Sequence, residues 1–186
     1  MLFVSDDAVV CSLVGAHAGE TIEQILNRKM RDIKRYGKTF WLVNSHQINP
    51  VLIQKICKED GCLYCYFALS SEGSYNANTK MSVYATDYST DYQNWEKIPD
   101  GFSHISGRIN KNTSALVFDC IEKFDSELDM WSYRNYKNPD KSLKSVIGGS
   151  TFCGIKSTDV LEGMKSRYRK IVYRARFVEP FCLFLK

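Results

Sequence analysis

A short basic run near the end of the chain is the clearest candidate for chemistry. Residues 165–176 (KSRYRKIVYRAR) contain six Lys or Arg side chains and no acid, whereas the whole 186-residue chain carries a formal net charge of only +4. The positive charge is therefore concentrated in this run, and the rest of the chain is slightly acidic. Concentrated positive charge is typical of a surface that binds phosphate or carboxylate groups. We expect an anion-binding surface here.

The spacing within residues 165–176 predicts a β-strand with two different faces, because side chains alternate along a strand. The apolar face, which would pack on the core, carries Ile171, Tyr173, Ala175 and Phe177. The other face and the loop that enters the strand carry the five candidate phosphate ligands, which are Arg167, Arg169, Lys170, Arg174 and Arg176. Guanidinium groups two residues apart lie about 7 Å from each other and can hold a phosphate bidentately. Ion pairs with acids on a neighbouring strand would use the same side chains, and the sequence leaves both arrangements open.

Aromatic side chains interleaved with cations form a second candidate region at residues 131–137 (WSYRNYK). Such a mixture suits stacked bases and bound phosphates. We therefore take Tyr133 and Tyr136, together with Trp41 from an earlier segment, as candidates for base stacking. Packing against the sheet as an apolar lid is the alternative explanation for Trp131.

A third candidate is the sequence GGST at residues 148–151. Two glycines followed by two hydroxyls can direct backbone N–H groups at an anion, which makes Ser150 and Thr151 candidate ligands. The spacing differs from that of the phosphate-binding loop G-x-x-x-x-G-K-[ST]. An ordinary turn is the alternative.

No motif for catalysis or metal binding is recognisable, and we expect no catalytic residue, no metal and no cofactor. Cys62 and Cys65 form a C-x-x-C pair, but no second pair completes a zinc site, which favours burial in the core. If the protein were an enzyme, His17 with Glu20, or His46, would be the candidate acid and base. The seven cysteines are an odd number, which favours reduced thiols and a cytoplasmic location.

The elements that must position these residues have clear local signals in the first part of the chain. A strand is predicted at residues 9–14, and Thr21 with Gln24 has the spacing of a capping box that opens a helix. Apolar side chains recur at helical spacing up to Tyr36, and Gly37 is suited to end the helix. The basic side chains of this helix, which indicate a solvated face, are Arg28, Lys29, Arg31, Lys34 and Arg35.

The later elements are predicted from alternation and turn residues. A buried strand at 39–43 is followed by a helix from Asn49-Pro50 to about residue 59 and by a strand at 63–69. Further predictions are an exposed loop at 70–80, a hairpin of 81–88 with 95–98, and a hairpin of 103–109 with 114–122. The closing predictions are a long functional loop at 125–147, a short helix within 155–164, and two strands at 169–178 and 181–185.

One short segment carries a resemblance to a known family. Residues 40–45 (FWLVNS) resemble the opening strand of PUA-like domains of the EVE type. The resemblance implies a small barrel whose pocket reads modified bases. It agrees with the strand-rich pattern and the two early helices.

These observations predict one α+β domain over residues 1–186, built on a curved, mainly antiparallel sheet with a possible PUA-like barrel. Residues 1–37 would form a strand–helix unit packed on that sheet, and no apolar stretch is long enough to cross a membrane. The predicted function is non-enzymatic binding of a phosphate-bearing ligand, either a single-stranded or modified nucleic acid or a free nucleotide. Three alternatives remain, which are a viral counter-defence protein that sequesters a nucleotide signal, a nucleotide- or nucleic-acid-processing enzyme, and a module that docks an acidic protein partner.

Overall fold

The fold was analysed in a computed structural model that describes residues 3–16, 19–43, 48–70, 85–103, 113–140, 151–159 and 167–186. The helices of this part are α1 (Ile22–Tyr36) and α2 (Pro50–Lys58), and a single 3-10 turn spans Met130–Ser132. Its strands are β1 (Ala8–Val14), β2 (Thr39–Val43), β3 (Tyr64–Leu69), β4 (Asp87–Ser89), β5 (Glu96–Lys97), β6 (Ser114–Asp129), β7 (Tyr133–Asn135), β8 (Thr151–Lys156) and β9 (Tyr168–Leu185).

The strands form one sheet in the order β2-β6-β9-β3-β1-β8-β7, with β4 added to the end of β9 and β5 paired to β4. Between these strands, β1 and β3 run parallel and the other pairs are antiparallel. The prediction of a single α+β fold with a mainly antiparallel sheet is therefore confirmed. The sheet is not closed, so the PUA-like barrel is not confirmed. The strand of the predicted N-terminal unit, β1, lies inside the sheet between β3 and β8.

Apolar side chains cover both faces of the sheet, and β1 shows how one strand serves both. Val10 and Val14 lie in a core cluster that includes Leu26 of α1 and Ile53 of α2. Val9, on the opposite face, belongs to a second cluster built around β3, β8 and the first half of β9. A third cluster packs the second half of β9 against β2, β6 and the segment that carries Phe102.

Helix α1 begins and ends as its sequence predicts. Thr21 accepts a hydrogen bond from the Gln24 amide, and the Gln24 side chain accepts one from the Thr21 amide at 2.8 Å, which completes the capping box. Gly37 ends the helix at φ 74°, in the left-handed region that suits glycine, and its N–H donates to the Ile33 carbonyl at 2.8 Å. Helix α2 is confirmed in the same way, with Asn49 as its N-cap and Pro50 in its first turn.

The prediction that the basic side of α1 is entirely solvated is wrong for one residue. Lys29 is buried, and its ammonium group donates to the Phe40 carbonyl of β2 at 2.6 Å. The next polar residue on that side, Asp32, is also buried and accepts from the Thr39 hydroxyl and from the backbone and side chain of Ser103. Because β2 pairs with β6 alone among the described strands, these bonds attach α1 along the edge of β2.

Three predictions from the later part of the chain are corrected by long-range pairing. Residues 125–129 belong to β6 instead of a loop, because they pair with the first residues of β9. Ile155 and Lys156, the first residues of the segment predicted to contain a short helix, belong to β8, because they pair with β1 and β7, and residues 160–164 of that segment lie outside the described ranges. The last two predicted strands form one element, β9, which continues through a cis Glu179–Pro180 bond.

The remaining predictions have mixed outcomes. The buried strands β2 and β3 are confirmed, and so is the turn-linked pair β4 and β5, although both of its strands are shorter than predicted. Nearly all of the predicted 70–80 loop and of the first strand of the 103–109 hairpin lies outside the described residues. Neither helix of the described part is long and apolar enough to cross a membrane.

Candidate anion-binding surfaces

The basic run forms the first half of β9, but its apolar side chains do not share one face as predicted. Ile171, Ala175 and Phe177 are buried, whereas Lys170 and Arg176 are exposed. Ile171 packs in the second core cluster and Ala175 and Phe177 in the first, on the opposite face, because a register shift opposite Tyr173 and Ile171 interrupts the alternation. Arg169, which the sequence placed in an entering loop, lies within the strand opposite Leu128.

Most of the cations of β9 have an acidic partner on β6. Arg167 binds both carboxylate oxygens of Asp129, and the shortest distance, from Nη2, is 2.8 Å. The other three pairs are Lys170 with Asp125 at 3.5 Å, Arg174 with Glu122 at 2.6 Å, and Arg176 with Asp119 at 2.8 Å. The sequence left open the choice between phosphate binding and cross-strand ion pairs, and in this structure four of the five candidate cations make ion pairs.

The charge of the neighbouring strand explains this arrangement. Residues 119–129 of β6 (DCIEKFDSELD) contain five acids and one lysine, and they pair along the basic half of β9. The hydrogen bond to Asp119 raises the pKa of Arg176, as expected for a cation held by a carboxylate. A phosphate that binds to β9 would therefore have to compete with carboxylates that are already in place.

Arg174 is fixed more firmly than the other cations of β9. Its guanidinium carbon lies 4.4 Å from the ring centre of Tyr64 and 4.4 Å from that of Phe124, while Nε donates to Glu122. Two ring faces and one carboxylate thus occupy the surfaces with which this side chain would bind a ligand.

Arg169 is the exception among the five candidates. It makes no ion pair with any residue of the described ranges, and its guanidinium carbon lies 5.9 Å from the ring centre of Phe152. The side chain is half-buried on the face that carries the second core cluster. A single guanidinium in this position does not assemble a phosphate clamp by itself.

The aromatic candidates are not brought together. Trp41 lies on β2 and Tyr133 on β7, which are the two ends of the sheet order, and β9 lies between them. Tyr133 is 1% exposed and its hydroxyl donates to the Asp6 carbonyl at 2.8 Å. Tyr136 donates to Asp60 at 2.5 Å, and Trp41 packs edge-on against Phe67. These contacts account for the three rings without a ligand.

The third candidate region and the residues of the enzyme alternative contribute little to a site. Thr151 is fully buried in β8, where its hydroxyl bonds with that of Ser12 at 2.8 Å, and residues 148–150, including Ser150, lie outside the described ranges. Glu20 is paired with Arg28 at 2.6 Å, and all three histidines fall outside the described part of the chain.

Six of the seven cysteines are buried in the core, as predicted for Cys62 and Cys65, and Cys120 is half-buried. Burial raises the pKa of Cys11 and of Cys62 to about 12 in each case, so both thiols stay protonated at neutral pH. Within the described residues, no group of three or more His, Cys, Asp or Glu side chains could hold a metal ion.

A second basic surface, which the sequence did not single out as a binding site, lies at the C-terminal end of α1. Three of its cations lie on one side of the helix and a fourth follows just after the helix end. We call these four residues the α1 stripe: Arg31, Lys34, Arg35 and Lys38. None of them makes an ion pair with a described residue, although Arg35 lies over the Tyr36 ring at 5.2 Å and Lys38 lies 5.9 Å from the rings of Phe40 and Tyr88. The first three are exposed and Lys38 is half-buried.

The sequence contains a signal for this difference between the two basic surfaces. The acid closest to the α1 stripe along the helix is Asp32, which is turned inward and bonded to Thr39 and Ser103. The cations of β9, by contrast, face an acidic strand. The acidic run at residues 119–129 is visible in the sequence, but only the fold shows that it pairs with β9.

No known protein family, curated protein or solved structure matches the chain. The fold and its surfaces define an α+β protein with an open, mainly antiparallel sheet, an ion-paired β6–β9 face and an α1 stripe whose cations make no ion pair with the described residues.

Proposed function

We propose that the protein binds a phosphate-bearing ligand, without chemically transforming it, through the α1 stripe. The observation that supports this proposal is that four neighbouring cations make no ion pair among the described residues, while most of the equally basic side chains of β9 do. A ligand that approaches α1 displaces no carboxylate of the described residues, whereas one that approaches β9 must displace carboxylates.

The electrostatics of the helix favour an external anion at this stripe. Arg31 and Arg35 are like-charged neighbours four residues apart within the helix, a spacing that destabilises a helix by about 0.2–0.5 kcal/mol. The helix dipole offsets part of this repulsion, because cations are favourable near a C-terminus. A bound phosphate removes the remaining repulsion and thus binds more tightly than it would to isolated cations.

The cations of β9 remain the competing site for the same function. Arg174 and Arg176 would bind phosphate only if the ligand outcompetes Glu122 and Asp119. Exposed ion pairs contribute only about 0–1 kcal/mol each, so such competition is physically accessible. The experiment must therefore distinguish α1 from β9.

The test compares three variants by fluorescence anisotropy of a short labelled single-stranded oligonucleotide at about 0.15 M salt, where long-range charge is screened. The first, Arg31→Ala/Lys34→Ala/Arg35→Ala, removes three unpaired cations and keeps good helix formers. The matched control, Lys58→Ala/Lys97→Ala/Lys156→Ala, removes three exposed cations outside both surfaces, of which Lys58 and Lys97 are paired with acids and Lys156 donates to the Ser5 carbonyl. Both triple variants have the same net charge. The third variant, Arg174→Ala/Arg176→Ala, tests β9.

We expect the first variant to lose about tenfold or more in affinity and the control to stay within about twofold of wild type, because long-range charge alone contributes weakly in salt. Equal losses in the two triple variants would mean that affinity follows net charge and that the stripe is not a site. A large loss confined to Arg174→Ala/Arg176→Ala would move the site to β9. Turnover of the oligonucleotide by the wild-type protein would favour the enzyme alternative.

A further inference from the structure

The shape of the α1 stripe bears on the kind of phosphate ligand that it fits. We infer, resting on the proposed function, that this ligand is the sugar–phosphate backbone of a nucleic acid strand, bound without contacts to the bases. A free nucleotide has the same phosphate chemistry but fits the surface poorly, for the reasons that follow.

The stripe is long in comparison with a single nucleotide. Arg31 and Arg35 lie four residues apart in the helix, which corresponds to about 6 Å at a rise of 1.5 Å per residue, and Lys38 follows beyond the helix end at Gly37. One strand of a duplex presents a phosphate about every 3.4 Å along its axis. The helical part of the stripe therefore spans about two phosphate spacings, or three consecutive phosphates, and Lys38 can reach a fourth. The one to three clustered phosphates of a free nucleotide would leave part of it unoccupied.

The surface is also convex, whereas sites for small ligands are concave. Nucleotide-sized molecules normally bind in clefts that remove most of their surface from water. The stripe lies on the outer side of α1, since the inner side is occupied by Lys29 and Asp32. A small cleft elsewhere in the described part of the chain is lined by Ile48, Leu52, Asn135, Tyr136, Lys137 and Cys153. None of these residues belongs to the stripe.

The rings beside the stripe are already engaged, so base stacking is not part of the contact. Tyr36 packs on Phe102 with ring centres 5.3 Å apart and donates its hydroxyl to the Asp100 carbonyl at 2.6 Å. Tyr88 donates to Glu96 at 2.5 Å, and Phe40 is buried. Contacts with phosphates alone carry no sequence information, so binding should not depend on base sequence.

An acidic protein is a poorer fit than a nucleic acid. Protein interfaces generally contain an apolar, often aromatic, core that provides much of the affinity. On α1, Met30 is the one large apolar side chain that is exposed among the described residues of the helix. A surface of regularly spaced charges with almost no apolar area suits a polyanion better.

The test measures affinity for four probes over a salt series: a single strand, the corresponding duplex, ATP and polyglutamate. With four phosphate contacts, the slope of log K against log salt should be about −2.8 for the single strand and about −3.6 for the duplex. Strands of different sequence should bind alike, and ATP should bind about a hundredfold or more weakly. Lys34→Ala should make the single-strand slope shallower by about 0.7, which a purely structural role would not do.

The failures of the two proposals are distinguishable. If ATP binds as tightly as the strand, and through the same cations, the proposed function survives and the polymer inference is overturned. If polyglutamate binds as tightly as the strand with the same salt slope, the ligand is an acidic polypeptide and the inference is likewise overturned. If neither the nucleic acids nor ATP bind at any salt concentration, both proposals fail.

Discussion

Single residues on the inner side of α1 show how the helix is held against the sheet. The ammonium group of Lys29 is buried and donates to an edge carbonyl of β2, and Asp32 binds Thr39 and Ser103. Burial, with a smaller contribution from Arg28, lowers the pKa of Lys29 from 10.5 to about 7, although the nearby carboxylates Asp32 and Glu20 oppose the shift. A lysine that titrates near neutral pH makes the stability of the fold depend on pH.

Lys29→Met should remove this pH dependence. Between about pH 7 and 10.5 the unfolded chain keeps a proton on Lys29 that the native state has lost, so the free energy of unfolding of wild type rises with pH in this window. Relative to Lys29→Met, wild type should gain up to about 1.4 kcal/mol per pH unit. Urea unfolding of both proteins from neutral to mildly alkaline pH measures the difference. Titration of buried thiols affects both proteins equally, and a difference that does not change with pH would contradict the assignment.

Arg174 gives a second prediction at the scale of the residue. Arg174→Lys keeps the charge but loses the planar group that stacks between Tyr64 and Phe124, so we expect a loss of about 1 kcal/mol in unfolding free energy. Arg176→Lys is the matched control, because Arg176 pairs with Asp119 on a more exposed surface. This substitution should lower the unfolding free energy by less than half as much as Arg174→Lys. Equal effects in denaturant unfolding would show that the rings contribute nothing.

At the scale of the element, local chemistry sets the ends of α1 and thereby the position of the stripe. The capping box at Thr21 and Gln24 and the left-handed Gly37 are both visible in the sequence, and both are confirmed. Lys38, the last cation of the stripe, follows Gly37 directly, so the conformation of this glycine determines where that side chain lies.

Gly37→Ala should destabilise the protein by about 1–2 kcal/mol, because a side chain at φ 74° meets its own backbone even where no neighbour is close. Gly37→Asn should cost less, since asparagine tolerates the left-handed region better than alanine. Thermal unfolding of the two variants tests the order. If alanine is tolerated as well as asparagine, the helix does not depend on this end.

The elements that the sequence predicts well are those with local signals, and those that it misses depend on distant partners. Asn49 and Pro50 mark the start of α2 within a few residues. Residues 125–129 (DSELD) contain little that suggests a strand, and they extend β6 because β9 pairs with them. Ile155 and Lys156 are extended for the same reason, since β1 and β7 flank them. Neither short segment carries a local pattern that identifies its distant partner strand.

In the candidate site, too, some features are visible in the sequence and others depend on distant partners. The cations of β9 and the alternation of that strand are readable in the sequence, but their acidic partners are supplied by β6, and that pairing appears only in the fold. The basic residues of α1 are readable too. Their lack of ion pairs among the described residues follows from the inward orientation of Asp32, which helical spacing alone does not reveal.

At the scale of the whole molecule, the fold divides its positive charge into two parts. The β6–β9 face is largely neutralised by its own pairs, so the α1 stripe is left as a distinct basic surface. The formal net charge of +4 is therefore expressed unevenly, and a polyanion is expected to approach from the α1 side.

Because the acids of β6 neutralise the cations of β9, we predict that removing Asp119 and Glu122 will create a second binding surface on β9. Asp119→Asn/Glu122→Gln should free Arg176 and Arg174 and increase affinity for a single-stranded oligonucleotide by about threefold to tenfold, with a steeper salt slope. Glu179 pairs with Lys58, and Asp87 pairs with Lys97. Glu179→Gln/Asp87→Asn is therefore a control that changes the net charge equally and releases no arginine of β9. An equal gain in the control would show that net charge, not the release of β9, is responsible.

The most direct test of the central claim is to map where a phosphate polymer touches the protein. A titration of ¹⁵N-labelled protein with a short single-stranded oligonucleotide, followed by backbone amide chemical shifts, reports on both surfaces in one experiment. We expect the largest shifts at Arg31, Lys34, Arg35, Lys38 and their neighbours, and only small shifts of the amides of Lys170, Arg174 and Arg176. Large shifts along β9 without shifts in α1 would contradict the claim that the α1 stripe is the binding site.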